Sequence, residues 1–180
     1  MSELLSVDTL KMLHDMASLA VSHIVRERLG EEHQGRGGYF RAFLLREPRD
    51  YKNMVPLYES WLAGSAILDR ASLYWVCSIE KPIRLSQNVH LGHVSSFQSR
   101  VPDQLYAGAI MFRCVIPELG SERVWVIFSF SGLPEMADEA SMVIAAEHMN
   151  ERGWKVDFDD LKKIIDTSKN SVYEGPLLGA

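Results

Sequence analysis

The sequence predicts an α+β sandwich in which an antiparallel sheet carries helices on its faces. Three observations predict it. The periodic segments run in the order helix, two strands, one or two helices, two strands and a pair of helices, so the strands arrive in pairs suited to hairpins. The strand at 123–130 is apolar on both faces, with Val124, Val126, Phe128 and Phe130 on one and Trp125 and Ile127 on the other, which calls for cover on each side of the sheet. The 180 residues, 47% hydrophobic and 24% charged, are enough for one sizeable core.

Residues 8–29 read as the first helix, because Leu10, Leu13, Ala17, Ala20, Val21, Ile24 and Val25 recur every three or four positions. Asp8 is placed to cap its start and Gly30 to close it in the left-handed conformation. After the loop EEHQGRGG, residues 39–47 and 51–58 form a predicted hairpin turning at 48–50. Pro56 cannot donate to a ladder, so the second of these strands lies at an edge or ends early. Residues 65–79 read as a second helix that Pro82 ends or kinks, with a further short helix over 82–88 and a loop over 90–101.

Strands at 106–116 and 123–130 make the central hairpin across the turn-rich PELGSE. Pro134 and the acidic Glu135, Asp138 and Glu139 announce a helix to about Glu151, with Met136, Ala140, Val143 and Ile144 on its apolar side. A last helix starts at Asp157, stapled by Val156 and Leu161, and continues to about Ser168. This organisation gives one domain over residues 1–170 and an extended tail over 171–180 that is a candidate for docking on a partner.

Nineteen Lys and Arg against 24 Asp and Glu give a net charge of −5, which argues against electrostatic capture of nucleic acid or anionic membrane. No apolar run approaches the roughly 20 residues that span a bilayer, and the N-terminus lacks a basic start followed by an apolar stretch. A cytoplasmic protein is the expectation. Cys77 and Cys114 sit far apart in apolar runs and read as small buried hydrophobes. Trp61, Trp75, Trp125 and Trp154, with Met111, Met136, Met142 and Met149, suit either a core or the packing of subunits.

No nucleophile elbow, phosphate loop or Cys–His pair appears, so no catalytic residue is assigned. His90 and His93, in NVHLGHVSS, could meet one metal or a haem face if the segment coils into a helical turn; the competing reading is two surface or capping histidines. No further Cys or carboxylate pair nearby completes a zinc site. His14 and His23 stand nine positions apart on different sides of the first helix and cannot act together. Lys81, Arg84 and Arg100 suggest a basic surface for a propionate or another anion, or else a solvated charged face. Gly132, just before a helix start, allows a sharp turn whose free N–H groups either receive an anion or are capped.

The run YAGAIMFRCVI followed by VWVIFSFSGLPEMADEASMVIAA resembles the C-terminal half of the haem-binding or haem-degrading family, the GlcG/HbpS-like domain. Gly108, Ser131, Gly132, Asp138 and Glu139 occupy the family's Gly-containing strand, Ser-Gly strand end and acidic linker. A fainter likeness extends upstream through Gly64, Ser65 and Ala66 to Gly92, His93, Ser95 and Ser96. The resemblance implies a profilin-like, five-stranded antiparallel sheet with helices on both sides, ring-like homo-oligomers and, in some members, haem or a corrinoid-related partner. The expectation is therefore a homo-oligomeric small-ligand-binding protein, haem or a related tetrapyrrole leading, with His90, His93, Lys81 and Arg84 as candidate ligand-binding residues. The alternative is a non-catalytic interaction module of the same fold. An enzymatic role rests on analogy alone and ranks last.

Overall fold

The computed structural model describes residues 4–49, 51–62, 70–100 and 106–175. Among them are four α-helices, α1 (Val7–Arg28), α2 (Ala71–Gln87), α3 (Glu135–Glu151) and α4 (Phe158–Ser168). The strands are β1 (Gly38–Leu45), β2 (Val55–Leu62), β3 (Ala109–Val115), β4 (Val124–Ser131) and β5 (Lys155–Val156). They form one antiparallel sheet in the order β2-β1-β4-β3-β5. The two hairpins lie side by side, β1 pairing with β4, so the strand that is apolar on both faces sits at the centre.

The sheet is covered on both faces, as its alternation requires. Phe40, Ala42, Ile110, Phe112, Val126, Phe128 and Phe130 face the larger core, which α1, α3 and α4 close. Phe43, Leu45, Ala109, Met111 and Ile127 face the other way and pack with Leu85 of α2. Helix α3 is buried on nearly every side, and its apolar and small residues lie all round it rather than on one stripe. Three of its carboxylates are enclosed, Asp138, Glu139 and Glu147. Glu139 accepts from the Ser95 hydroxyl and from Asn170 Nδ2 at 3.1 Å, and Glu147 accepts from the Tyr173 hydroxyl at 2.6 Å. The tail expected after residue 170 thus returns at Tyr173, 1% exposed, into the chain's own core; residues 176–180 lie outside the described residues.

Several boundaries differ from expectation for local reasons. Ser6, not Asp8, caps α1: its hydroxyl accepts from Thr9 N–H at 3.2 Å and donates to Glu118 at 2.6 Å. Ser6→Ala should cost about 1 kcal/mol of unfolding free energy in chemical denaturation. Gly30 has φ −69° and precedes a short 3-10 turn, so it does not close α1 in the left-handed region. Pro56 does lie on an edge strand, and β1 shifts register between Ala42 and Phe43 opposite it, but β2 runs on to Leu62.

Pro82 neither ends nor splits a helix. Helix α2 continues through it to Gln87, because Lys81 and Arg84 on either side are anchored to carbonyls of other elements. Its expected start at residue 65 lies outside the described residues. β5 was not foreseen; its two residues extend the sheet beside β3. Trp154, 2% exposed, and Met111, Met142 and Met149, all fully buried, belong to the core, whereas Trp61 and Trp75 are exposed.

Candidate functional site

The Ser-Gly strand end, the glycine just before β3 and the acidic start of α3 converge on one point. Gly132 lies against the backbone of Gly37 and Gly38: a Cβ there would stand 2.4 Å from the Gly37 carbonyl oxygen and 2.7 Å from Gly38 Cα. Asp138 turns back from the first turn of α3, and its Oδ1 accepts from the Leu133 N–H at 2.8 Å. Its Oδ2 is paired with Lys81 Nζ at 3.0 Å, and the same ammonium donates to the Phe130 carbonyl at 2.8 Å. Gly108 passes directly over this pair with φ +113°. Burial pushes the Asp138 carboxyl up to about 6, against Lys81 and the Leu133 and Gly132 N–H groups, which pull it down. The Leu133 and Gly132 amides at the turn are thus engaged by the carboxylate of Asp138, while the helix's N-cap, Pro134, makes no side-chain cap bond.

Gly64 lies outside the described residues. Gly108, Ser131, Gly132 and Asp138 are brought together, and Lys81 joins them. The surface reading of the basic residues is corrected. Lys81 is 1% exposed and neutralised by Asp138, and Arg84, 6% exposed, bonds Glu80 and donates to the Ser96 carbonyl at 2.8 Å and the Tyr106 carbonyl at 2.7 Å. Both cations are structural ties: Lys81 joins α2 to β4 and α3, and Arg84 joins it to the segments at Ser96 and Tyr106. Arg100 is half-buried and paired with Glu135 at 2.9 Å.

His90 is exposed, with Nδ1–H donating to the Gln87 carbonyl at 3.0 Å. His93 is half-buried and joined through Nδ1 to the Ser99 hydroxyl at 2.8 Å; burial, then the neighbouring His90, lowers its pKa. Among the described residues no group of three or more His, Cys, Asp or Glu is placed to hold a metal ion. Cys77 and Cys114 are free and buried; burial raises the Cys77 thiol and pushes Cys114 up to about 12.

Two concavities flank α2. Along its outer side runs an open groove of about 540 Å³ lined by the apolar Trp75, Val76, Ile79 and Ile83, by the paired Glu80 and Arg84, and by the polar Gln87, Asn88 and Ser99. Between α2 and the β4–α3 turn lies a cleft of about 300 Å³ with Asp138 and Cys77 among its walls. The groove was legible but missed: Trp75, Ile79 and Ile83 fall at i, i+4 and i+8, a second apolar stripe on the side of the helix opposite the inner one of Cys77 and Leu85. Arg36, Arg70, Tyr74 and Tyr106, which reach the cleft from three separate segments, carried no local signal. Compared with family models, curated proteins and solved structures, the chain matches none of them. No helix among the described residues is long and apolar enough to cross a membrane.

Proposed function

We propose that the chain is a homo-oligomeric small-ligand-binding protein whose ligand is haem or a related tetrapyrrole. The observation that carries this reading is the α2 groove. Its volume falls within the range of small-molecule sites, and its lining, the apolar Trp75, Val76, Ile79 and Ile83 beside the paired Glu80 and Arg84 and the polar Gln87, Asn88 and Ser99, suits a flat, largely apolar body with a polar margin. The groove walls themselves carry no histidine. His93 stands one hydrogen bond behind Ser99, and because Nδ1 is engaged there, Nε2 is the nitrogen with which it would hold iron. Its lowered pKa favours the neutral imidazole that ligation needs.

The partner-module alternative draws on an overlapping set of residues. Leu73, Trp75, Val76 and Leu91 are exposed by 43–61%, and of these Trp75 and Val76 also wall the groove, so a partner there would compete with a groove ligand. A second copy packed there would complete the ring-like oligomer that the family resemblance implies.

Haemin titration, read by Soret absorbance and native mass, tests the proposal on the wild type, His90→Ala, His93→Ala and Ile83→Glu. The expected result is a saturable Soret shift on a discrete oligomer, abolished by Ile83→Glu, altered in position by His93→Ala and unaffected by His90→Ala. No saturable shift removes haem. A discrete oligomer without a shift favours the interaction module.

A further inference from the structure

The cleft on the other side of α2 has a charge pattern of its own. Two acids, Glu135 and Asp138, are among its walls, and both are already neutralised. Glu135 is paired with Arg100 at 2.9 Å and accepts from the Ala107 N–H at 3.2 Å, while Asp138 is paired with Lys81 at 3.0 Å. Two cations line it as well, Arg36 from the loop before β1 and Arg70 at the start of α2. Neither guanidinium has an ion-pair or side-chain hydrogen-bond partner among the described residues, so the cleft keeps an uncompensated positive charge.

The remaining walls indicate what kind of anion fits. Tyr74 and Tyr106 contribute aromatic faces and phenol donors, and Leu73, Leu133 and Pro134 contribute apolar surface. At about 30 Å³ per non-hydrogen atom, a volume of about 300 Å³ holds a ligand on the order of ten such atoms. Two guanidiniums facing one small space match the planar fork of a carboxylate. The Cys77 thiol, held protonated by burial, serves as wall rather than nucleophile.

We propose that this cleft is a binding site for a small aromatic or short-chain carboxylate, with Arg36 and Arg70 holding the carboxylate and Tyr74 and Tyr106 flanking its body. The site is separate from the α2 groove, sharing no wall residue with it, and stands or falls independently of haem binding.

Calorimetric titration with benzoate, and separately with acetate and inorganic phosphate, at an ionic strength fixed with chloride, tests it on the full chain. Arg36 is half-buried and Arg70 exposed, so Arg36→Ala/Arg70→Ala should leave the fold intact, which circular dichroism checks. The expected result is saturable benzoate binding, weaker binding of acetate, at least a tenfold loss of benzoate affinity in the double alanine variant, partial recovery in Arg36→Lys/Arg70→Lys, and no change in Ile83→Glu. Absence of saturable benzoate binding to the wild type would overturn the proposal. So would equal affinity in the double alanine variant, loss of binding in Ile83→Glu, or binding of phosphate in preference to both carboxylates.

Discussion

Lys81→Met is expected to destabilise the protein by about 3–5 kcal/mol at pH 8, the usual cost of leaving one partner of a buried ion pair alone. The ammonium it removes is 1% exposed and holds two groups, Asp138 Oδ2 and the Phe130 carbonyl oxygen. Methionine roughly preserves the volume, so the loss reports the polar contacts rather than a cavity. Asp138 is then a buried carboxylate with two backbone N–H groups for company and no counter-charge. Its cheapest escape is to take up a proton.

That escape fixes the sign of the pH dependence. The Asp138 carboxyl sits at about 6 in the folded wild type and at about 3.9 in an unfolded chain. The native state therefore binds this proton more strongly, and the stability linked to it is fully present below about pH 4 and is lost as the pH rises through the folded value. Removing Lys81 takes away a group that pulls the folded value down, so in Lys81→Met the same loss occurs at higher pH and is larger. Urea unfolding at pH 5 and pH 8 should show a penalty clearly smaller at pH 5. Lys81→Met/Asp138→Leu, which discards both charges, should recover much of the loss and lack this pH dependence. An equal penalty at both pH values would mean that Asp138 is not the group left stranded.

The Lys81–Asp138 pair also marks the boundary of what the sequence discloses. The alternation Val124, Val126, Phe128, Phe130 against Trp125 and Ile127 is a local pattern whose meaning does not depend on distant residues, and the central strand follows it. The same holds for Asp157 capping α4 and for Pro56 at the edge. Lys81 is different. Lysine is rarely buried without a partner, and its partner lies 57 residues on, so a surface position is the natural reading of the local sequence. A signal was nonetheless present: Lys81 stands midway between Cys77 and Leu85 at four-residue spacing, on the stripe that faces the sheet. Read with that stripe, the helix has to continue through Pro82, since Arg84 and Leu85 beyond it share the same buried side. β5 is too short to leave any period. Of the candidate site, the Gly108, Ser131, Gly132 and Asp138 cluster was legible as a motif and the groove's apolar stripe was legible on α2 alone, whereas the cleft depends on where α2 lands.

Gly108→Ala should be among the most damaging single-methyl additions in the chain, and Gly120→Ala measures how much of that damage is purely local. Both glycines have φ +113°, a backbone conformation that costs a residue with a Cβ about 1–3 kcal/mol. A Cβ on Gly120 would meet nothing within 4 Å, so its substitution should cost that backbone term alone. A Cβ on Gly108 would stand 2.5 Å from Asp138 Cβ, 2.7 Å from the Phe130 carbonyl oxygen and 3.0 Å from Lys81 Nζ. Two of these neighbours belong to the backbone or lie next to it, and the third is the ammonium that neutralises Asp138, so none can yield without breaking the pair. Overpacking of this kind adds about 1–3 kcal/mol. The expected order in chemical denaturation is Gly108→Ala well below Gly120→Ala, which in turn lies below wild type. Because the added methyl forces Lys81 away from Asp138, Gly108→Ala should also acquire the steeper loss of stability with rising pH expected of Lys81→Met, while Gly120→Ala keeps the wild-type profile. Equal penalties for the two glycines would show that β3 moves aside freely, and that the close approach of Gly108 is not what seats the buried pair.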